Sequence, residues 1–126
     1  IIDEMNPRVY FEFTDANFKF DSARLTPKGK TKVAQYAQFL KENSDLDVTI
    51  EGHADRRGPK EYNQRLGLSR AKAVWKALKS HKVKNKMEVI SFGESQPKDR
   101  ARTKSAHAKN RRVQLRVTES NTQEKP

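Results

Sequence analysis

The sequence predicts an α/β fold, a two-layer sandwich in which helices pack on a mixed sheet. The 126 residues have the length of one domain. Their apolar pattern changes between the two-residue period of strands and the 3.6-residue period of helices, in the order strand, helix, strand, helix, strand, strand. Six Phe, three Tyr and one Trp supply bulk for a core, although only 33% of the residues are hydrophobic.

The first half of the chain contains two predicted strands and one predicted helix. Residues 9–13 are β-branched and aromatic, apart from one Glu, and predict the first strand. The Thr-Pro pair at 26–27 is typical of an N-cap followed by proline at the first helical position, and apolar residues then recur at helical spacing to about residue 41. Residues 47–53 alternate apolar and polar side chains and predict the second strand.

The second half contains a longer helix and two further strands. Helical periodicity extends from about 60 to 80, and residues 87–92 predict a strand that ends at Gly93. Residues 94–110 are polar and basic and predict a long loop, which is typical of a functional segment. Alternation at 113–117 predicts the last strand.

We therefore expect one domain over residues 9–118, a short lead-in at 1–8 and a flexible tail at 119–126. The sequence has no apolar run near the roughly 18 residues of a membrane helix, and no signal peptide opens it. It has no cysteine, which excludes disulfide scaffolds, thiol catalysis, iron–sulfur clusters and cysteine-type zinc sites.

Charge is distributed unevenly along the chain. Residues 1–63 carry 10 basic and 11 acidic side chains, whereas residues 64–126 carry 17 basic and 5 acidic ones, within a formal net charge of +11. A basic half suggests an anionic partner such as nucleic acid, anionic lipid or another anionic polymer. A basic, solvated helix face that serves only solubility is the alternative explanation.

The second helix places an arginine on its apolar face. With 100° of rotation per residue, the apolar face covers about one third of the helix circumference. Its residues are Asn63, Leu66, Gly67, Arg70, Val74, Ala77 and Leu78. The opposite face is polar and basic. Because a buried guanidinium is costly without an anionic partner, Arg70 requires a carboxylate or a phosphate.

Two interpretations of Arg70 are open. In one, it pairs with an internal acid such as Asp55 and holds the turn to the helix. In the other, its planar fork faces a ligand carboxylate. Asp55 follows the second strand, where open α/β sheets bind ligands. A carboxylate and a guanidinium at one site form a receptor for a zwitterion.

These residues lie in a stretch that resembles the signature of the OmpA-like C-terminal domain. The resemblance rests on Gly-His-Ala-Asp-Arg-Arg-Gly-Pro at 52–59, Tyr-Asn at 62–63 and Leu-Gly-Leu-Ser-Arg-Ala at 66–71. Three further segments agree in order: Phe-Asp-Ser-Ala at 20–23, Phe-Gly-Glu-Ser at 92–95 and Asn-Arg-Arg-Val at 110–113. The resemblance covers residues 9–117 and implies an OmpA-like version of the predicted sandwich.

The resemblance also implies a function, which is non-covalent binding of peptidoglycan in the Gram-negative periplasm. The implied ligand is the meso-diaminopimelate of the stem peptide, whose free end carries an ammonium and a carboxylate. Asp55 and Arg70 match the residues that bind these two groups. By the same resemblance, further ligand-binding positions are Asp21, Asn63, Leu66 and either Arg111 or Arg112.

We expect the domain to anchor a larger envelope protein to the cell wall. With no signal peptide, lipidation site or membrane span of its own, the chain is expected to be part of a longer protein. An outer-membrane barrel, a lipoprotein and a flagellar motor component are all compatible with it. The expected location is the periplasm, with a tether to the outer membrane, or to the inner membrane if the parent is a motor stator.

Three other functions are less well supported. His53 and Asp55 have the spacing of a metal pair but no third ligand, so neither a metal nor a cofactor is expected. Glu51 and Asp55 resemble a hydrolase pair, but an arginine neighbour lowers the pKa of Asp55, so we expect no catalytic residue and no enzyme activity. The basic run at 98–104 lacks the interleaved aromatic residues of nucleic-acid sites, so no specific nucleic-acid partner is expected.

Overall fold

The structure is a computed structural model that describes residues 9–119. Its elements are β1 (Val9–Thr14), α1 (Pro27–Glu42), β2 (Leu46–His53), α2 (Lys60–Ser80), β3 (Met87–Gly93), α3 (Lys104–Asn110) and β4 (Arg112–Glu119), with a single turn of 3-10 helix at Asp15–Asn17. The predicted lead-in and all of the predicted tail except Glu119 lie outside the described residues. Glu119 itself ends β4.

The four strands form one mixed sheet in the order β1-β4-β2-β3. The parallel pair β2 and β3 is connected through α2, while β4 runs antiparallel to both β1 and β2. Arg112, the first residue of β4, pairs with Thr14 at the end of β1 and with His53 at the end of β2. The chain that follows β1, the chain that follows β2 and the chain that precedes β4 therefore meet at one edge of the sheet.

The core lies between the sheet and the two long helices, which contact each other and the sheet. Fully buried side chains from the sheet include Phe13, Ile50 and Leu115, and those from the helices include Leu40 and Leu78. This arrangement confirms the predicted α/β sandwich with a mixed sheet.

The helix boundaries follow their capping signals. The Thr26 hydroxyl accepts a hydrogen bond from the Gly29 backbone N at 3.2 Å, and Pro27 occupies the first turn of α1, as predicted. In α2, the predicted inward face is buried at Asn63 and Arg70, whereas Lys72 and the other basic side chains of the opposite face are exposed.

The predicted loop over 94–110 is partly wrong, because its last seven residues form α3. The Thr103 hydroxyl caps this helix by accepting a hydrogen bond from the Ala106 N at 3.0 Å. Ala106, His107 and Asn110 are buried. A helix of two turns is too short to display a helical repeat, so periodicity alone misses it.

The packing of α2 on β2 depends on two glycines that face each other. A Cβ atom on Gly52 would lie 2.0 Å from the carbonyl oxygen of Gly67. Any side chain at position 52 would therefore separate the helix from the sheet. None of the helices within residues 9–119 has both the length and the apolar stretch of a bilayer-spanning segment.

Replacing Gly52 with alanine is expected to lower the free energy of unfolding by about 2–3 kcal/mol, since the added methyl group overlaps backbone atoms of α2 that have no rotamer to move away. Urea denaturation at neutral pH measures this difference. Thr49→Ala on the same strand is the control and should cost about 1 kcal/mol or less. Equal losses for the two variants would contradict the close approach.

Candidate functional site

A cavity of about 350 Å³ opens at the edge of the sheet where β1, β2 and β4 meet. The chain after β1, the turn after β2, the first three turns of α2 and the residue before β4 all contribute to its wall. Its lining residues are Asp15, Phe20, Asp21, His53, Ala54, Asp55, Arg57, Gly58, Tyr62, Asn63, Leu66, Arg70 and Arg111. Six of the seven site residues predicted from the sequence line this cavity.

Asp55 is nearly buried, with 6% of its surface exposed, and both of its carboxylate oxygens are hydrogen-bonded. Oδ1 accepts from the Arg57 backbone N at 2.8 Å and from Arg57 Nε at 3.1 Å. Oδ2 accepts from Arg57 Nη2 at 3.1 Å and from Arg111 Nη1 at 2.6 Å. The carboxylate is therefore held by two arginines, neither of which is Arg70.

These contacts keep Asp55 ionised. Burial by itself raises the pKa of the Asp55 carboxyl, but hydrogen bonds from Arg57 and Arg111 outweigh it and lower the pKa to about 2. The direction agrees with the sequence-based expectation, whereas the neighbours responsible for it are different. A carboxyl with so low a pKa accepts hydrogen bonds at neutral pH and has no proton to donate.

Asn63 stabilises the turn that carries Asp55. Its Nδ2 donates to the backbone oxygen of Asp55 at 3.0 Å and to that of Arg57 at 2.8 Å. The same side chain lines the cavity from the first turn of α2. Through these two backbone contacts, Asn63 fixes the position of the Asp55 carboxylate.

Arg70 is 2% exposed and takes its partners from the segment between β1 and α1. Its Nε donates to the Ser22 backbone oxygen at 2.8 Å, and its Nη1 donates to Asp15 Oδ1 at 3.2 Å. Its guanidinium carbon lies 4.7 Å from the centre of the Phe18 ring. Burial lowers the pKa of Arg70, and the neighbouring Asp15 opposes that shift.

The predicted internal pairing of Arg70 with Asp55 is wrong, because Asp15 takes that place. Asp15 was not predicted from the sequence, although it follows β1 directly and is the last acid before the loop at 18–25. Its Oδ1 also forms an ion pair with Arg111, whose Nε lies 3.2 Å away. Asp15 can be identified as a site residue only from the antiparallel pairing of β1 with β4, because this pairing sets Thr14 opposite Arg112.

Of the two arginines where β4 begins, Arg111 lines the cavity and Arg112 does not. The Arg112 guanidinium donates to Gln114 Oε1 at 2.8 Å and to the Gln96 backbone oxygen at 3.1 Å. Arg112 belongs to the strand, whose pleat directs its side chain to the other side of the sheet. We therefore correct the ligand-binding expectation for Arg112.

The loop between β1 and α1 closes the other side of the cavity. A bridge between Phe18 and Leu25 holds its ends together. At its tip Asp21 has φ of 49°, a left-handed conformation that aspartate tolerates. The Tyr62 hydroxyl donates to Asp21 Oδ1, and this contact raises the Tyr62 pKa. Phe20 beside it is 96% exposed.

The described residues 9–119 contain no group of three or more His, Cys, Asp and Glu side chains placed to hold a metal ion. His53 is buried, stacks on Phe92 at 5.2 Å between ring centres and contacts Glu51 Oε1 through Nε2 at 3.2 Å. The cavity instead presents separate positive and negative groups above an apolar wall at Leu66. Such an arrangement suits a small ligand with both charges.

Comparisons with known proteins agree with this geometry. The sequence model of the OmpA family matches residues 17–111. The chain is 39% identical over 100 residues to the peptidoglycan-associated lipoprotein of Pseudomonas putida, an alignment that covers 79% of this chain and 60% of that protein. It is 34% identical over 120 residues to the outer membrane protein Omp38 of Acinetobacter baumannii, covering 94% of this chain and 32% of that protein.

A solved structure confirms the architecture. The crystal structure of the peptidoglycan-associated lipoprotein from Burkholderia pseudomallei matches with a TM-score of 0.75 and 34% sequence identity, over 84% of this chain and 91% of that chain. The resemblance drawn from the sequence motifs is confirmed as well. The chain spans about 60% of the length of the Pseudomonas putida relative.

The low pKa of Asp55 predicts how stability depends on pH. Since the folded pKa of about 2 lies below the ordinary value of 3.8, ionised Asp55 stabilises the fold above pH 4, and this contribution disappears as the pH falls through about 2. We expect Asp55→Asn to lower the free energy of unfolding by about 2 kcal/mol at pH 7, and by much less at pH 2. Urea denaturation of both proteins across this range measures the gap. A gap that stays constant would contradict the assignment.

Proposed function

The chain belongs to the OmpA family, and we propose that its cavity binds peptidoglycan non-covalently through the meso-diaminopimelate of the stem peptide. In this proposal the domain anchors a larger envelope protein to the cell wall. The family match, the name of the Pseudomonas putida relative and the charge arrangement of the cavity support it.

One observation carries the proposal: Asp55 and Arg70 line the same cavity without pairing with each other. A direct ion pair would bring the two groups into contact and leave no place for a ligand between them. Instead, Asp15 and Arg111 connect them: Asp15 pairs with Arg70 and with Arg111, and Arg111 pairs with Asp55. The cavity therefore keeps an anionic wall and a cationic wall, which matches the ammonium and carboxylate at the free end of diaminopimelate.

Arg70 is the proposed partner of the ligand carboxylate. Its Nε and Nη1 are used by Ser22 and Asp15, while Nη2 has no hydrogen-bond partner among residues 9–119. The bonds that are present fix the plane of the guanidinium before the ligand arrives. Such preorganisation reduces the entropic cost of binding.

Asp55 is the proposed partner of the ligand ammonium, and Arg57 must move to admit it. The Arg57 side chain is 54% exposed, and its guanidinium forms no hydrogen bond or ion pair with any described residue other than Asp55. Arg111 is 23% exposed and is held by Asp15 as well. Since water solvates a released Arg57 at little cost, Arg57 leaves and Arg111 stays.

The remaining predicted residues shape the cavity. Leu66 supplies apolar wall for the methylene groups of diaminopimelate. Asp21, through its contact with Tyr62, holds the loop at 18–25 against the first turn of α2. Asn63 keeps the Asp55 turn in place.

We propose a binding module and not an enzyme. The low pKa of Asp55 makes it a poor proton donor. Glu51, the other candidate of a hydrolytic pair, is 2% exposed and is engaged by His53 and Arg116. Purified protein is expected to retain sacculi without releasing soluble muropeptides.

The proposed location is the periplasm, because the Acinetobacter baumannii relative is an outer membrane protein and the Pseudomonas putida relative is a lipoprotein associated with peptidoglycan. A tether through the rest of the parent chain would hold the domain beside the cell wall. The outer membrane is the proposed site of that tether.

The ligand proposal predicts selectivity between two natural stem peptides. A stem peptide with lysine in place of meso-diaminopimelate lacks the carboxylate at its free end, so it would leave Arg70 without an anion. We expect it to bind at least tenfold more weakly, or about 1.4 kcal/mol, by isothermal titration calorimetry. Asp55→Asn should lose binding of both peptides. Equal affinity of the parent for the two peptides would contradict the proposal.

Displacement of Arg57 predicts a variant that binds more tightly. Arg57→Ala removes the guanidinium that competes with the ligand for Asp55, so the dissociation constant for meso-diaminopimelate should fall about three- to fivefold. Arg65→Ala removes the same charge from an exposed site on α2 and is the matched control, with no tightening expected. Weaker binding by Arg57→Ala would instead show that Arg57 contacts the ligand.

A further inference from the structure

A second cavity, of about 180 Å³, adjoins the proposed binding cavity. Ala54 lines both, so the turn after β2 lies between them. Successive side chains of this turn alternate between the two: Asp55 and Arg57 line the first cavity, and Arg56 lines the second. A ligand bound at Asp55 therefore has its next groups close to the second cavity.

Two unpaired arginines line the second cavity. Arg56 Nη2 donates to the backbone oxygen of Arg100 at 3.0 Å, which brings together two segments 44 residues apart. Both side chains are exposed, and neither guanidinium forms an ion pair with any residue in the range 9–119. Their charge is available to an anion from solution.

The two acids of this cavity also have neighbouring donors. Asp99 accepts from the Ala101 backbone N at 3.0 Å and lies 3.8 Å from Lys109 Nζ. Glu94 Oε1 lies 3.5 Å from Asn63 Nδ2. Because Asp99 is paired with a lysine and neither arginine is in an ion pair among the described residues, the second cavity offers two guanidinium groups to an anion.

We propose that the second cavity binds a further carboxylate of the same stem peptide, outside the diaminopimelate head group. This inference rests on the proposed function. A stem peptide carries such carboxylates on its glutamate residue and at its C terminus. An extended chain advances about 3.4 Å per residue, so the turn of three residues between the two cavities spans roughly 10 Å at most. Either carboxylate of the stem peptide can reach across it. Arginine then binds the carboxylate through two parallel hydrogen bonds.

Calorimetry with four ligands tests the inference: free meso-diaminopimelate, the tetrapeptide of alanine, glutamate, diaminopimelate and alanine, and two forms of that tetrapeptide. One form is amidated at the glutamate α-carboxylate and the other at the C terminus. We expect the parent domain to bind the tetrapeptide about three- to tenfold more tightly than free meso-diaminopimelate. One of the two amidations should abolish that gain and thereby identify the carboxylate.

Two variants locate the contact. Arg100→Gln and Arg56→Gln should each reduce the tetrapeptide advantage and leave the affinity for free meso-diaminopimelate unchanged. Arg102→Gln is the matched control, since this exposed residue lies in the same basic segment but does not line the second cavity. It should retain the full advantage. Because all three side chains are exposed, the variants are expected to fold normally.

Three results would overturn the inference: equal affinity of the parent for the tetrapeptide and for meso-diaminopimelate, equal weakening of both ligands by Arg100→Gln, or the same loss with Arg102→Gln. A parent that binds meso-diaminopimelate but gains nothing from the second carboxylate refutes this inference alone. A parent that binds neither ligand refutes the proposed function and this inference with it.

Discussion

The cavity depends on the burial of one guanidinium. A positive charge removed from water must be compensated by hydrogen bonds and by an anion, or the fold loses several kcal/mol. Arg70 obtains this compensation from the Ser22 carbonyl, the Asp15 carboxylate and the ring of Phe18. All three groups lie between β1 and α1. Arg70 thereby fixes this segment, which contains little regular structure, against α2.

From Arg70 the charges alternate along the floor of the cavity through Asp15, Arg111, Asp55 and Arg57. Each charge is compensated by its neighbours, so the series is stable without a ligand. Its two ends differ, since Arg70 is buried and Arg57 is exposed. A zwitterion that replaces Arg57 on Asp55 and adds a carboxylate at Arg70 would preserve the alternation of sign. The alternation of charge therefore stabilises the free cavity and also allows it to accept a zwitterion.

The inward face of α2 serves binding in its first half and the core in its second half. Asn63 and Arg70 lie in the cavity, whereas Val74 and Leu78 are fully buried among apolar side chains. Gly67 lies between the two polar residues and brings the helix close to β2. The approach sets Asn63 over the turn after β2, where it holds Asp55. A single close contact between backbones thus positions both charged walls of the cavity.

Local pattern was sufficient to predict the long elements, because the apolar period and the caps of a strand or helix lie within its own residues. The buried face of α2, the place of Asp55 after β2 and the inward direction of Arg70 follow from that pattern. The resemblance to the OmpA-like domain added the expectation for Asp21, Asn63 and Leu66, all of which line the cavity. For these features, neighbours in sequence carry the necessary information.

The partners of the charged groups were decided only by the tertiary structure. The pairing of β1 with β4 brings Asp15 into contact with Arg70 and Arg111. Asp55 then pairs with Arg57 and Arg111 instead of Arg70. The choice between Arg111 and Arg112 depends on where β4 begins, because one residue of register reverses the side of the sheet that a side chain faces. Ion pairs act over a few ångströms between segments far apart in the chain, so their identity depends on strand order and register, which no local pattern contains.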